Sequence, residues 1–105
     1  MSYDVHLEDE RGERVSDLDA NCTWNIRPMI VEASGGTGPV EWDGMIGRDV
    51  AAICAKVIAA FQADPARFRA MNPANGWGSF EGCRRFIREI EDACVDHPDA
   101  ILRVT

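Results

Sequence analysis

The residues that could act as nucleophiles in this chain are its four cysteines, Cys22, Cys54, Cys83 and Cys94. A catalytic cysteine needs a thiol whose pKa is lowered by a neighbouring base or by a helix N-terminus. Cys83 meets the second condition, because it falls in the first turns of a predicted helix. Its spacing also places it on the apolar stripe of that helix, where cysteine behaves as a small buried hydrophobe. We therefore interpret the cysteines as reduced core thiols in a reducing compartment.

Metal and carboxylate chemistry are the other catalytic options. The cysteines form no Cys-x-x-Cys pair, and His6 lies far from any cysteine in the sequence. Cys94 and His97 are three residues apart, but one such pair is not a set of metal ligands, so no metal site is predicted. Acids are plentiful between Glu8 and Asp19, but their spacing matches no EF-hand loop. Carboxylates on turn-like segments are usually solvated. The sequence therefore predicts no cofactor, no catalytic residue and no enzyme.

Binding is the remaining kind of chemistry, and side chains suited to it gather in the turn-rich segment Met71–Ser79. Proline and glycine in this segment prevent either flanking helix from running through it, and its amides can bond to nearby backbone. A tryptophan in such a loop either closes over the core or anchors a partner. The sequence leaves both interpretations open for Trp77 and for Trp42. The candidate partner-binding residues of this kind are Trp77, Asn75, Gly76, Asn72, Trp42, Asn25 and Arg27.

Charge narrows the class of partner. The formal net charge of -7 argues against a protein that binds nucleic acid or an anionic membrane directly, since such a protein needs a basic surface. The charge is compatible with solubility alone, or with docking on a basic groove, where it raises the association rate. The acids expected to steer such docking are Glu8, Asp9, Glu10 and Glu13.

No membrane span or leader is expected. No apolar run approaches the roughly 20 residues that a membrane helix needs. Acids stand near the N-terminus, where a signal peptide has a basic region followed by an apolar one. We therefore expect a cytoplasmic protein.

The elements that must position these residues follow from hydrophobic periodicity. Alternation at Tyr3, Val5 and Leu7 predicts a strand, and a turn with a short returning strand at 13–15 would complete an N-terminal hairpin. The segment Asn21–Ile26 is the next predicted strand, and Cys22, Trp24 and Ile26 share one of its faces. A closing strand is expected at 100–104.

Apolar spacing of three and four residues predicts helices between these strands. A short helix begins at Pro28 and ends at Gly35, and a long one covers about Arg48 to Phe61. Asp64 caps a short helix, and Ser79 caps the last one, whose apolar stripe includes Cys83. We expect one α+β domain over residues 1–105, with a small, mostly antiparallel sheet and about three helices packed on one face.

Two short motifs resemble those of small proteins encoded by bacteriophages and prophages. Ser2-Tyr3-Asp4-Val5-His6-Leu7 is similar to their opening Ser-Tyr-Asp-Ile/Val-x-Leu strand. Asn21-Cys22-Thr23-Trp24-Asn25-Ile26 is similar to their later Asn-x-Thr-x-Asn strand, which runs into a helix. The resemblance brings no catalytic residues with it. It implies a phage context, in which small acidic proteins are often inhibitors of host machinery, including anti-CRISPR and other counter-defence proteins.

The leading hypothesis is therefore a non-enzymatic phage or prophage protein that inhibits a bacterial host protein, with a nucleic-acid-binding defence component as the narrower candidate. One alternative is a sponge for a nucleotide signal, in which Arg27 and Trp77 would hold phosphate and base at a subunit interface. Another is an assembly protein that forms homodimers or larger homo-oligomers through its sheet edges.

Overall fold

A computed structural model describes all 105 residues of the chain. Three strands and five α-helices make up the fold, together with one turn of 3₁₀ helix at Trp24–Ile26. None of these helices combines the length and the apolar character that crossing a bilayer requires. In chain order the strands and α-helices are β1 (Ser2–Glu8), β2 (Ala20–Thr23), α1 (Arg27–Ser34), α2 (Pro39–Trp42), α3 (Gly47–Ala63), α4 (Pro65–Arg69), α5 (Phe80–Asp96) and β3 (Ile101–Val104).

The sheet is antiparallel throughout and has the strand order β2-β1-β3. Along β1, Tyr3, Val5 and Leu7 are buried, whereas Ser2 and Asp4 on the opposite face are exposed. One face of the sheet therefore packs on the helices and the other faces solvent, which confirms the predicted α+β class.

The outer edge of β3 is closed by the chain just before α3. The N–H of Gly44 donates to the carbonyl of Leu102, and the N–H of Leu102 donates to the carbonyl of Met45. A single bridge between Ile46 and Ile101 extends this contact. Two of the three strands thus have their main-chain groups engaged on both sides, and β2 forms the other edge of the sheet.

The predicted N-terminal hairpin is present, but its returning segment is too short to form a strand. The turn exists, because the Asp9 carboxylate accepts hydrogen bonds from the N–H groups of Arg11 and Glu13. Residues 13–15 then pair with the end of β1 through one antiparallel bridge, between Glu8 and Arg14. Two hydrogen bonds flank it, from the N–H of Asp9 to the carbonyl of Glu13 and from the N–H of Val15 to the carbonyl of Leu7. The main partner of β1 on that side is β2, which pairs with residues 2–5.

The predicted strand Asn21–Ile26 is correct only as far as Thr23. The Thr23 hydroxyl accepts a hydrogen bond from the N–H of Asn25 and so caps a 3₁₀ helix where the strand would have continued. Trp24 consequently leaves the buried face and is 41% exposed, while Ile26 is fully buried. Local side-chain capping has overridden the period-2 pattern here.

The predicted helices are confirmed together with their caps. Gly35 ends α1 with a φ of 87°, the Asp64 carboxylate caps α4, and the Ser79 hydroxyl caps α5 through the N–H of Gly82. The short helix α2 is a difference from the sequence-based expectation. A single hydrophobic core of 24 buried residues lies between the sheet and the helices.

Candidate binding surfaces

Trp77 projects from a loop whose backbone is held in place. Its side chain is 69% exposed. Its own N–H donates to Asn75 Oδ1 at 2.9 Å, and Asn72 Oδ1 accepts from the N–H of Phe80 at 2.8 Å. The N–H of Gly76 closes a turn onto the carbonyl of Pro73 at 3.2 Å. The amides of the predicted binding segment therefore shape the loop, and the indole ring is what the loop presents.

Gly78 docks this loop against the 3₁₀ helix. Its φ is +104°, and a Cβ atom at this position would lie 2.7 Å from Thr23 Cγ2 and 2.8 Å from Ile26 Cγ2. Only glycine tolerates both the backbone conformation and the close approach. Asn75 and Asn25 add a long hydrogen bond of 3.5 Å between the two segments. The Trp77 ring is thus exposed on a fixed base.

A groove of about 600 Å³ lies between this loop and the corner of the sheet where β1 begins. We call it the Trp77 groove. No acidic or basic side chain lines it, in a chain that is 28% charged. Its lining residues are Met1, Ser2, Asn21, Thr23, Asn25, Asn75 and Trp77.

Exposed apolar side chains concentrate near this corner of the molecule. Met1 lines the Trp77 groove and is 89% exposed. Its carbonyl accepts a hydrogen bond from the N–H of Trp24. Trp24 in turn lines a second, smaller groove together with Val40. The remaining large exposed apolar residue, Val95, lies near the far end of α5.

Arg27 does not share a groove with Trp77. Its guanidinium forms two hydrogen bonds with the Glu41 carboxylate, at 2.6 and 3.2 Å. This pairing raises the pKa of Arg27 and lowers the pKa of Glu41. Arg27 is already paired and lines the groove of Trp24 and Val40. A single chain therefore does not bring Arg27 and Trp77 together, and their combination around a phosphorylated ligand at a subunit interface stays a prediction.

Trp42 is a core residue, which corrects its assignment as a candidate binding residue. Its side chain is fully buried, and its indole N–H donates to Thr37 Oγ1 at 2.9 Å. The unpredicted helix α2 carries it into the core. Such an interior hydrogen bond is what a buried tryptophan requires, and no surface of Trp42 is left for a partner.

Glu8 is not the free steering charge that the sequence pattern predicts. Its carboxylate accepts hydrogen bonds from His6 Nε2 at 3.0 Å and from Arg103 Nε at 3.2 Å, and its side chain is only 18% exposed. The bond to His6, followed by the bond to Arg103, lowers the pKa of Glu8. The Asp9 carboxylate shapes its own turn, whereas Glu10 and Glu13 are exposed.

A larger acidic surface lies beyond these residues, and the sequence pattern did not predict it. A groove of about 660 Å³ runs between residues 15–19 and the C-terminal half of α5; we call it the acidic groove. No arginine or lysine lines it, and its carboxylates do not gather into a cluster able to hold a metal ion. Its acidic residues are Asp17, Asp19, Glu89, Asp92 and Asp96.

A second depression continues the acidic groove around the end of α5. It shares Val15, Asp96 and His97 with that groove and adds Asp9 and Glu10. Two of the predicted steering acids thus extend a surface that residues 15–19 and the C-terminal half of α5 build together. The spacing of Glu89, Asp92 and Asp96 along α5 is a sequence signal for the helical wall of this surface, but it does not show that residues 15–19 form the other wall.

The thiols lie away from these surfaces. Cys54, Cys83 and Cys94 are buried free cysteines, and Cys22 is partly buried. Burial raises the pKa of all four thiols, that of Cys94 to about 11. Cys83 thus lies in the core despite its place in the first turns of α5, and burial outweighs any stabilisation of a thiolate by the helix N-terminus.

Comparison of the chain with protein-family models, curated proteins and solved structures finds no match in any of the three.

Proposed function

We propose that this chain is a non-enzymatic, acidic binding protein of phage or prophage type that inhibits a bacterial host protein by occupying one of its surfaces. It would act in the host cytoplasm. The observation that carries the proposal is Trp77, whose ring is 69% exposed although hydrogen bonds hold its loop. A large aromatic side chain on a fixed base is the kind of residue that dominates binding energy once a partner desolvates it.

Charge supports a basic partner surface. The net charge of -7 and the acidic groove repel nucleic acid and anionic lipid but attract a basic protein surface. Host proteins that bind nucleic acid carry such surfaces. A defence component of this kind is therefore the narrower target that we propose, with counter-defence of the anti-CRISPR type as the consequence.

The buried thiols support a role without catalysis. A cysteine nucleophile needs an accessible thiolate with a lowered pKa, whereas the side chain of Cys83 is fully buried and its pKa is raised. His6, the histidine on β1, bonds to Glu8 rather than to a thiol.

Affinity capture with matched variants tests the proposal. The tagged wild-type protein, Trp77→Ala and Val95→Ala would each be incubated with lysate of the bacterial host. Val95 is the control because it is also exposed, at 62%, but lies near the opposite end of α5. We expect Trp77→Ala to lose about 2 kcal/mol or more of binding free energy, roughly 30-fold in Kd, and Val95→Ala to bind like the wild type.

The proposal is wrong if the wild type captures no host protein, or if Trp77→Ala retains the captured protein with wild-type affinity. Circular dichroism and thermal unfolding of both variants show whether they fold. We expect both to do so, since each substitution removes a side chain that is mostly exposed.

A further inference from the structure

Strand β2 has an unpaired edge. The N–H and carbonyl of Asp4 both bond to Thr105, on the β3 side of β1. Because main-chain groups alternate sides along a strand, those of Tyr3 and Val5 face β2, where Cys22 and Ala20 stand opposite them. The main-chain groups of the intervening Asn21 therefore point away from β1.

No strand lies on that side of β2, because β2 is an edge strand in the order β2-β1-β3. The N–H of Thr23 points the same way as that of Asn21, since the two residues are two positions apart. Asn21 is exposed. Such an edge is a template for pairing with another extended chain unless it is covered, as the β3 edge is by residues 44–46.

The two ends of this edge have different chemistry. At the Thr23 end lies the Trp77 groove, which no acidic or basic side chain lines. Just before Ala20, at the other end, Asp17 and Asp19 line the acidic groove, to which no arginine or lysine contributes. The four residues of β2 span about 13 Å, and Asp19 directly precedes them.

We propose that the partner binds by adding an extended segment antiparallel to β2 as a fourth strand, an inference that rests on the proposed function. The main chain of Asn21 and the N–H of Thr23 would bond to this segment. Residues directly opposite each other share a face of the sheet. An apolar residue opposite Thr23 would therefore contact the Trp77 groove. A basic residue just beyond the Ala20 end would lie beside Asp19, which borders the acidic groove.

A second copy of the chain fits this edge less well than a basic partner does. β2 consists of Ala-Asn-Cys-Thr and carries no basic side chain to meet Asp19. Each copy also has a net charge of -7, so two copies repel each other. Charge complementarity thus favours a basic segment of a different protein.

The experiment uses a defined peptide, acetyl-Gly-Leu-Val-Thr-Val-Arg-Gly-amide, titrated into ¹⁵N-labelled protein. Pairing places its leucine opposite Thr23 and its arginine opposite Asp19. We expect saturable shifts of the Asn21 and Thr23 amide resonances, and at least tenfold weaker binding of the same peptide with glutamate in place of arginine. The inference is overturned if this peptide gives no saturable shift, or if the shifts exclude both amides.

A pair of substitutions isolates the main-chain contribution. Asn21→Pro removes the outward N–H and blocks the edge, while Asn21→Ala removes the same side chain and keeps the N–H. We expect Asn21→Pro to bind the peptide at least tenfold more weakly than Asn21→Ala. Equal binding by the two variants, once circular dichroism has shown both folded, overturns strand addition.

The two proposals fail separately. If Trp77→Ala loses the captured host protein but Asn21→Pro and Asn21→Ala capture it equally, the proposed function stands and strand addition is wrong. If sedimentation of the wild type shows a dimer that Asn21→Pro abolishes, the edge belongs to a second copy, and the inference of a different partner is overturned.

Discussion

The docking of the Trp77 loop makes Gly78→Ala the most informative substitution for stability. The backbone at Gly78 has a φ of +104°, and an added Cβ would lie 2.7 and 2.8 Å from methyl carbons of Thr23 and Ile26. Placing a non-glycine residue in such a conformation costs about 1–2 kcal/mol. Overpacking against the two methyl groups adds roughly 1–3 kcal/mol. Gly78→Ala should therefore lower the free energy of unfolding by about 2–5 kcal/mol.

Gly76→Ala is the matched control for the backbone part of this effect. Gly76 also has a positive φ, +75°, but a Cβ added there would have no atom within 4 Å. It should therefore lose only the backbone part, about 1–2 kcal/mol. Urea denaturation followed by circular dichroism measures both variants. If Gly78→Ala is no less stable than Gly76→Ala, the loop does not dock on the 3₁₀ helix, and the fixed base of Trp77 is refuted.

Three further predictions follow from the burial and pairing of single side chains. In the native protein, a thiol reagent at about pH 8 should modify Cys22 first and the three buried cysteines only after unfolding. Rapid modification of Cys83 while the protein is folded would contradict this prediction. Trp42→Ala should lose about 3–5 kcal/mol of stability in urea, whereas Trp77→Ala should change little, and equal losses would contradict the assigned burial. Pairing with Arg27 lowers the pKa of Glu41 below its ordinary 4.5. The stability that this pair contributes is therefore present above pH 4.5 and is lost as pH falls through the pKa of Glu41 in the folded protein. Wild-type stability should fall more steeply below about pH 4.5 than that of Glu41→Gln, and parallel curves would contradict the pairing.

The helices could be predicted because apolar spacing and capping residues within or next to each helix indicate where it lies. The apolar stripe of α5 and the caps at Asp64 and Ser79 are local features, and the structure confirms them. The end of β2 differs from the sequence-based prediction for an equally local reason. The alternation of Cys22, Trp24 and Ile26 continues the strand pattern, but the Thr23 hydroxyl captures the N–H of Asn25 and turns the chain.

The acidic groove could not be predicted from periodicity, because its two walls are far apart in the sequence. Residues 15–19 form one wall, and α5 supplies Glu89 and Asp92 to the other. Only the tertiary packing of α5 brings the walls together. The same is true of Glu8, whose partner Arg103 comes from β3 at the other end of the chain.

The central claim is that Trp77 is held on the surface for a partner to bury, and fluorine NMR of protein labelled with 5-fluorotryptophan tests it directly. The Trp77 resonance, assigned with Trp77→Phe, should show the largest shift between H₂O and D₂O among the three tryptophans. This difference between H₂O and D₂O should disappear for Trp77 when the captured host protein binds. The Trp42 resonance should be the same in H₂O and D₂O, both in the free protein and in the complex. A Trp77 resonance that is already insensitive in the free protein, or that keeps its solvent shift in the complex, would contradict the account.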